Sequence, residues 1–344
     1  MTIQEALRWG ITQLRAAKVE TPELDAEVLL QHTFHSAIPQ NRRMNRSWLY
    51  AHSNEEFSGT AFSRYKKLVA RRVKREPVAY IVGYKEFYGL DFLVNHDVLI
   101  PRAETELLVE MGLSELVRCQ VSGVRCQFVD IGTGSGAIAV AIAKQVGIAH
   151  ESARQRELSL ATPQLRFFAT DISASALCVA KKNARRHGVE KQITFLKGNL
   201  LEPLLVKAEL WREKSSALLI TANLPYLPTA EWRVTMPEVK KWEPRGALDG
   251  GKDGLKYYRE LFKQVRGFVH NPPQPSLTLR EGDRSILPLR VRGSERGLRI
   301  TVLCEICPEQ TGAFKELVRG YFSKAKCEVV KDLAGRNRVM VVKI

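Results

Sequence analysis

Phe128-Val129-Asp130-Ile131-Gly132-Thr133-Gly134-Ser135-Gly136-Ala137-Ile138-Ala139-Val140 reads as a buried strand that runs into a glycine loop and then a helix. Glycine at 132, 134 and 136 lets the chain turn tightly and lets a flat ligand lie against bare backbone, facing the helix N-terminus. The spacing is Gly-x-Gly-x-Gly. A dinucleotide fingerprint is Gly-x-Gly-x-x-Gly, so a nicotinamide enzyme is disfavoured. Asp130 at the strand end would repel a pyrophosphate and welcome a cationic sulfonium and amino group, which favours S-adenosylmethionine over NAD. A ligand-free glycine turn is the bland alternative, and the segments downstream weigh against it.

The next strand, Phe167-Phe168-Ala169-Thr170-Asp171-Ile172-Ser173, ends in a carboxylate just before a helix. Asp171 there can accept both ribose hydroxyls of a nucleoside. It lies farther from Gly136 than the usual ~20 residues, and a polar stretch at 147–164 accounts for the excess. Leu196-Lys197-Gly198-Asn199-Leu200 ends the following strand, and Asn199 with Leu200 sits where an amide and an apolar wall would grip an adenine ring. Gly-Asn is also an ordinary turn.

Ala222-Asn223-Leu224-Pro225-Tyr226 directly follows an expected strand at 217–221. Methylating a planar amino or amide nitrogen requires holding it flat and accepting its hydrogens. The Asn223 side-chain oxygen and the Leu224 carbonyl can supply two acceptors, and past Pro225 the Tyr226 ring can pack on the planar group. Alone, Asn-x-Pro-Tyr is a plausible turn. Its order after the glycine loop and the strand-end Asp171 points to function.

Working outward, residues 3–73 carry a helical rhythm, with Ala6, Leu7, Ile11 and Leu14 followed by Leu24, Val28, Leu29 and His32. Pro22 stands at the first position of the second helix. The texture changes at Glu76-Pro77, because Val78 to Gly83 and Glu86 to Val94 are β-branched, aromatic and broken by glycine. These boundaries predict a helical domain over 1–75, a hairpin linker over 76–103 and an α/β domain over 104–344. Strands are expected near 128–131, 165–170, 193–197, 217–221, 300–306 and 339–342, alternating with helices in the manner of a sheet covered on both faces. The stretches 147–164 and 271–297 read as insertions without periodicity, and Asn271-Pro272-Pro273-Gln274 in the second as a coincidental turn.

With 344 residues, 44% hydrophobic and 26% charged, the chain is neither a disulfide miniprotein nor a disordered one. Its longest wholly apolar run, Ala137 to Ala143, falls far short of the roughly 20 residues that span a bilayer. No membrane span and no secretory leader are read, so a cytoplasmic protein is expected. Six irregularly spaced cysteines make no disulfide framework, and the seven histidines form no ligand cluster. Cys304-Glu305-Ile306-Cys307 has metal-type spacing but lies in an apolar strand without a second pair, so core packing is favoured over zinc and no metal is expected. The net charge of +16 gathers in clusters such as Arg71 to Arg75 and Lys181 to Arg186. Such clusters suit RNA, a ribosome surface or an acidic protein, or equally a solvated face.

The chain resembles the HemK/PrmC family, methyltransferases that modify the glutamine of the Gly-Gly-Gln motif in peptide chain release factors. The resemblance covers nearly all of the chain outside the two insertions. It is carried by Leu24-Asp25-Ala26-Glu27-Val28-Leu29-Leu30 and, more specifically, by Pro77-Val78-Ala79-Tyr80-Ile81-Val82-Gly83-Tyr84-Lys85-Glu86-Phe87-Tyr88-Gly89 and Val98-Leu99-Ile100-Pro101-Arg102-Ala103-Glu104-Thr105-Glu106. Downstream, Glu243-Pro244-Arg245-Gly246-Ala247-Leu248-Asp249-Gly250-Gly251-Lys252-Asp253-Gly254-Leu255 is similar to the segment after the catalytic loop. Amino-group methyltransferases of nucleic acids share the glycine loop and the tetrapeptide but not these flanks.

The resemblance implies a helical substrate-recognition domain, a hairpin linker and a Rossmann-like methyltransferase domain that uses S-adenosylmethionine. It implies that Gly132, Thr133, Gly134, Ser135 and Gly136 hold the methionine part of the cofactor, Asp171 the ribose, and Asn199 with Leu200 the adenine. Asn223 and the Leu224 carbonyl would orient the glutamine amide, with Tyr226 packed on it. Two departures stand out: Asn-Leu-Pro-Tyr where the family usually has Asn-Pro-Pro-Tyr, and Ala103 where proline is common. The first is also similar to dimethyladenosine rRNA methyltransferases, so an adenine amino-group methyltransferase stays open beside release-factor glutamine methylation. A basic RNA-binding protein without turnover is a third reading, opposed by the intact glycine loop, Asp171 and Asn223.

Overall fold

The computed structural model describes residues 1–35, 46–122, 126–155, 165–205, 217–270 and 298–344. Its contacts divide the chain into two units, one formed by Met1–Lys85, Val94–His96 and Val234–Glu243, the other by Glu86–Leu93, Asp97–Arg233 and Pro244–Ile344.

The first unit is helical. Helix Ile3–Ala16 opens with a capping box in which Glu5 N–H donates to Thr2 Oγ1 (3.1 Å) and Thr2 N–H donates to Glu5 Oε2 (2.8 Å). Its Ile3, Ala6, Leu7 and Leu14 share one face and are buried with Leu29 and Leu30 of helix Pro22–His35 and Tyr65 and Val69 of helix Gly59–Val73. Beside this core lies a buried ion cluster. Arg72 reaches Asp25 (2.6 Å) and Glu238 (3.0 Å), and Arg75 donates to Glu238 Oε2 (2.8 Å). Glu238 belongs to the short helix Pro237–Trp242, a late segment of the sequence incorporated into the first unit.

The segment 78–83 departs from its expected role as hairpin strand. Val78–Val82 forms a helix closed by Gly83 in the left-handed region (φ 85°). Five residues, four of them β-branched or aromatic, do not distinguish a strand from a helical turn, and burial of Tyr80 and Ile81 decides for the helix. The hairpin itself follows directly, as β1 (Tyr84–Phe87) and β2 (Leu90–Leu93), turning at Tyr88 (φ 53°) and Gly89 (φ 73°).

In the second unit a Rossmann-like sheet of seven strands runs in the order β5-β4-β3-β6-β7-β9-β8. The strands are β3 (Cys126–Ile131), β4 (Arg166–Asp171), β5 (Ile193–Lys197), β6 (Ala217–Ala222), β7 (Arg299–Glu305), β8 (Lys326–Lys331) and β9 (Asn337–Lys343). All neighbours pair in parallel except β9, which runs antiparallel to both β7 and β8. Every residue of β3 and β6 is buried, as the covered centre of a parallel sheet requires. The six expected strands are present, with ends moved by one or two residues. Edge strand β8 was not foreseen, because Lys-Cys-Glu-Val-Val-Lys buries too little to leave an apolar signature. Helix Ala137–Gln155 extends into the stretch read as an aperiodic insertion, while 156–164 and 271–297, with Asn271-Pro272-Pro273-Gln274, lie outside the described residues.

Chain order reverses between β3 and its neighbours β4 and β6, the switch point where parallel sheets open a crevice at the strands' carboxyl ends. Asp130 fastens that point. Only 1% exposed, its carboxylate accepts the hydroxyl of Thr133 on the glycine loop (2.6 Å) and that of Thr221 on β6 (2.9 Å). Burial pushes its carboxyl up to about 6 in spite of those hydrogen bonds.

Two outcomes follow from these buried charges. Arg72→Leu strips Asp25 and Glu238 of a shared cation, and the loss of stability should reach about 3 kcal/mol, read as a lowered urea midpoint. Asp130 binds its proton more tightly in the folded chain, about 6 against 3.8. Its contribution to stability is therefore greatest below that window and declines as pH rises through it. The Tm of the wild type relative to Asp130→Asn should fall between about pH 4 and about pH 6.5; a flat difference would refute the assignment.

Candidate active site

The parallel register brings four chain crossings to one edge. Ile131 lies level with Thr170 and Ala222, and Asp171 with Lys197, so Gly132, Asp171, Asn199 and Asn223 emerge side by side. They surround a cavity of about 300 Å³, with Gly134, Leu200, Leu224 and Pro225 also in its wall. Val98, Leu99, Ile172, Gly246, Ala247 and Tyr257 complete much of the remainder.

Within the glycine loop the roles divide. Gly132 and Gly134 face the cavity, whereas Thr133 and Ser135 are buried behind it. Thr133 N–H donates to Thr170 O (3.0 Å), and the Ser135 carbonyl accepts from Asn183 Nδ2 (2.8 Å). Gly136 (φ 81°) permits close helix packing, since a Cβ there would lie 3.1 Å from that of Ala180. Thr133, Ser135 and Gly136 therefore shape the loop from outside the cavity wall. Asp130, expected to face a sulfonium, is turned away into the tie described above.

Asp171 stands at the cavity wall with Oδ2 accepting from Gly134 N–H (2.9 Å) and Oδ1 from Ser173 N–H (2.8 Å). Burial raises its carboxyl above the usual range, against three backbone donors that lower it. A carboxylate offers about four acceptor sites, so capacity is left for a pair of hydroxyls. Ile172 beside it is 70% exposed, a large apolar side chain at the cavity rim. Leu200, in the left-handed region at φ 52°, supplies apolar wall. Asn199 lies next to it, its Nδ2 donating to Glu202 (3.0 Å). Bare glycine backbone, a hydroxyl-accepting carboxylate and apolar surfaces for a flat base fit the amino-acid, ribose and adenine parts of S-adenosylmethionine. Among the described residues no group of three or more His, Cys, Asp or Glu is placed to hold a metal.

The Asn-Leu-Pro-Tyr segment is fastened from several sides. Asn223 Nδ2 donates to Thr105 Oγ1 (3.0 Å), leaving the amide oxygen as its acceptor end. Leu224 is buried with its Cδ2 close to Gly132. The Tyr226 carbonyl accepts from Gln310 Nε2 (2.8 Å), and Gly254 (φ 73°) passes so near that a Cβ would sit 2.1 Å from that carbonyl oxygen. Tyr226 was expected to pack on a planar substrate group, yet it is absent from the cavity wall; its hydroxyl donates to Glu305 Oε1 (3.0 Å). Burial, reinforced by the Glu305 charge, raises the Tyr226 phenol far above its usual range, so it stays a neutral donor.

Thr105, Glu305, Gln310, Ile172 and Tyr257 carry no role in the sequence reading. A faint signal existed for Glu305, a single charge closing the apolar run Val302-Leu303-Cys304. The register places that run's end beside the end of β6, where Ala222 pairs with Cys304.

Known proteins share this organisation. Residues 5–83 match the PrmC N-terminal domain and residues 123–230 a methyltransferase domain. The release factor glutamine methyltransferase of Moorella thermoacetica is 36% identical over 338 residues, covering 98% of this chain and 97% of that protein. Its namesake in Geobacter sulfurreducens is 37% identical over 258 residues, 75% of this chain and 77% of that protein. A solved release factor-specific protein-(glutamine-N5) methyltransferase from Alicyclobacillus acidocaldarius is 24% identical, covering 73% of this chain and 98% of that one with a TM-score of 0.34. With sequence relatedness of this strength along almost its whole length, the chain belongs to the release factor glutamine methyltransferase family.

Proposed function

We propose that the protein transfers a methyl group from S-adenosylmethionine to the side-chain amide nitrogen of the glutamine in the Gly-Gly-Gln motif of peptide chain release factors. The observation that carries this reading is relatedness over 98% of the chain, which takes in the helical unit as well as the methyltransferase unit. An adenine methyltransferase would share the second without the first. No helix among the described residues is long and apolar enough to cross a membrane. A cytoplasmic location, where release factors work, fits that observation. The +16 charge adds a proposed affinity for RNA or the ribosome near which release factors act.

S-adenosylmethionine, when bound, supplies an electrophilic methyl on a sulfonium. Asp171 accepts the ribose hydroxyls, and the Gly132–Gly134 backbone receives the amino-acid end. Leu200, Ile172 and the Asn199 amide frame the adenine. The Asn223 amide oxygen and the Leu224 carbonyl accept the two hydrogens of the glutamine amide, holding its nitrogen in line with the methyl. Held there by Asn223 and Leu224, the nitrogen would receive the methyl that the bound donor supplies, the sulfonium becoming a neutral thioether. The neutral acceptors stabilise the charge that grows on nitrogen, so its proton can leave late and no strong base is needed. Leucine at position 224 serves as well as proline, because the contribution there is a main-chain carbonyl and burial of the side chain restores rigidity.

Offered labelled cofactor, the protein should label an intact release factor but not its Gln→Ala variant in Gly-Gly-Gln; label appearing in rRNA alone would instead establish the adenine reading. Asn223→Ala should lower kcat by ~10²–10³-fold while S-adenosylmethionine still binds, as followed by calorimetry. Asp171→Ala should do the reverse, weakening cofactor binding by ~10- to 100-fold through loss of a charged hydrogen-bond acceptor.

A further inference from the structure

An asparagine carboxamide has two ends of nearly equal shape and opposite hydrogen-bonding sense. Turned one way, Asn223 offers an acceptor to an incoming amide N–H; turned the other way, it confronts that N–H with its own. Orientation of this group is therefore worth as much as its presence. Thr105 bonds it, but a threonine hydroxyl both donates and accepts and cannot by itself choose between the two. The choice is made one residue further on. The Thr105 hydroxyl also hydrogen-bonds Glu305, and so does the Tyr226 hydroxyl at 3.0 Å. An ionised carboxylate only accepts. Thr105 must then spend its hydrogen on Glu305, which leaves its lone pairs to the Asn223 NH₂ and turns the Asn223 oxygen outward. Burial raises the Glu305 carboxyl above its usual range, and the hydroxyls of Thr105 and Tyr226 together with the charge of Arg338 on β9 act against that and favour the ionised form.

Glu305 is an odd residue to keep for stability. It is 1% exposed, and its Oε2 finds no hydrogen-bond partner among the described residues. Burying such a carboxylate costs more than an apolar residue would. Its return lies elsewhere: hydroxyls from two different segments, Thr105 and Tyr226, converge on it, and both lead to the Asn-Leu-Pro-Tyr loop.

We propose that Glu305 and Thr105 are positioning residues which, by fixing the donor–acceptor direction of the chain Asn223–Thr105–Glu305–Tyr226, hold the Asn223 amide oxygen toward the substrate nitrogen. This rests on the reading of Asn223 as the acceptor of the glutamine amide. Neither residue touches substrate or cofactor; each acts through Asn223.

The full-length protein tests it, with methyl transfer from labelled S-adenosylmethionine to a release factor as one readout and calorimetric cofactor affinity as the other. Thr105→Val, which keeps the shape and removes the hydroxyl, and Glu305→Gln, which puts a donor where only acceptors stood, should each lower kcat by ~10- to 100-fold. Cofactor affinity should stay within about threefold, since the cofactor contacts are elsewhere. Thr105→Ser restores the hydroxyl and should restore turnover. Thr105→Val combined with Glu305→Gln should be no worse than the poorer single variant, because both break one chain. Unchanged kcat in Thr105→Val, a Thr105→Ser as damaged as Thr105→Val, or additive losses in the double variant would each overturn the relay. Asn223→Ala separates the two levels. If it lowers kcat as expected while Thr105→Val leaves kcat unchanged, only the relay fails; if it turns over normally, the role of Asn223 fails and the relay with it.

Discussion

The site depends on one buried carboxylate that touches neither the cavity nor anything in it. Asp130 joins the end of β3 to the glycine loop through Thr133 and to β6 through Thr221. One connection leads to the segment proposed to receive the cofactor and the other to the strand that carries Asn223. Methyl transfer needs its two reacting atoms aligned to within a fraction of an ångström. A shared anchor of three side chains is a direct way to keep two loops in step. The unfavourable burial of that carboxylate, visible in its raised proton affinity, is the cost of the arrangement.

The Asn-Leu-Pro-Tyr loop shows the same economy of means on a larger scale. Asn223 is tethered by side chain, Leu224 by burial, Tyr226 by both its carbonyl and its hydroxyl, and Leu227 N–H by Leu248 O (3.0 Å). The partners come from the segment before helix Glu106–Val121, the end of β7, the short 3₁₀ turn Pro308–Gln310 and the residues after 244. Proline at the second position would restrict one dihedral angle. Packing from four directions restricts the whole segment, with leucine at that position.

Much of this was legible in the sequence because strand ends in a parallel sheet announce themselves: an apolar run, then Gly132, Asp171, Asn199 or Asn223, then a helix or turn. The order of those runs was enough for six of the sheet's seven strands and for eight of the residues around the cavity. Misreadings arose where a residue type has two uses. Asp130 and Tyr226 look like ligand-facing groups, but in the folded chain their hydrogen bonds are spent on Thr133, Thr221 and Glu305. Val78–Val82 is too short for periodicity to separate helix from strand. Thr105 and Glu305 lie 200 residues apart in the sequence, and no local pattern joins them.

The helical unit is not contiguous in the sequence. Its anion Glu238 reaches Arg72 and Arg75 from a segment that is translated only after most of the sheet's strands. At typical synthesis speeds the ribosome needs on the order of ten seconds to cover that distance. Throughout that interval a nascent N-terminal unit carries two arginines that lack Glu238, so its final consolidation is coupled to elongation well past its own apparent boundary.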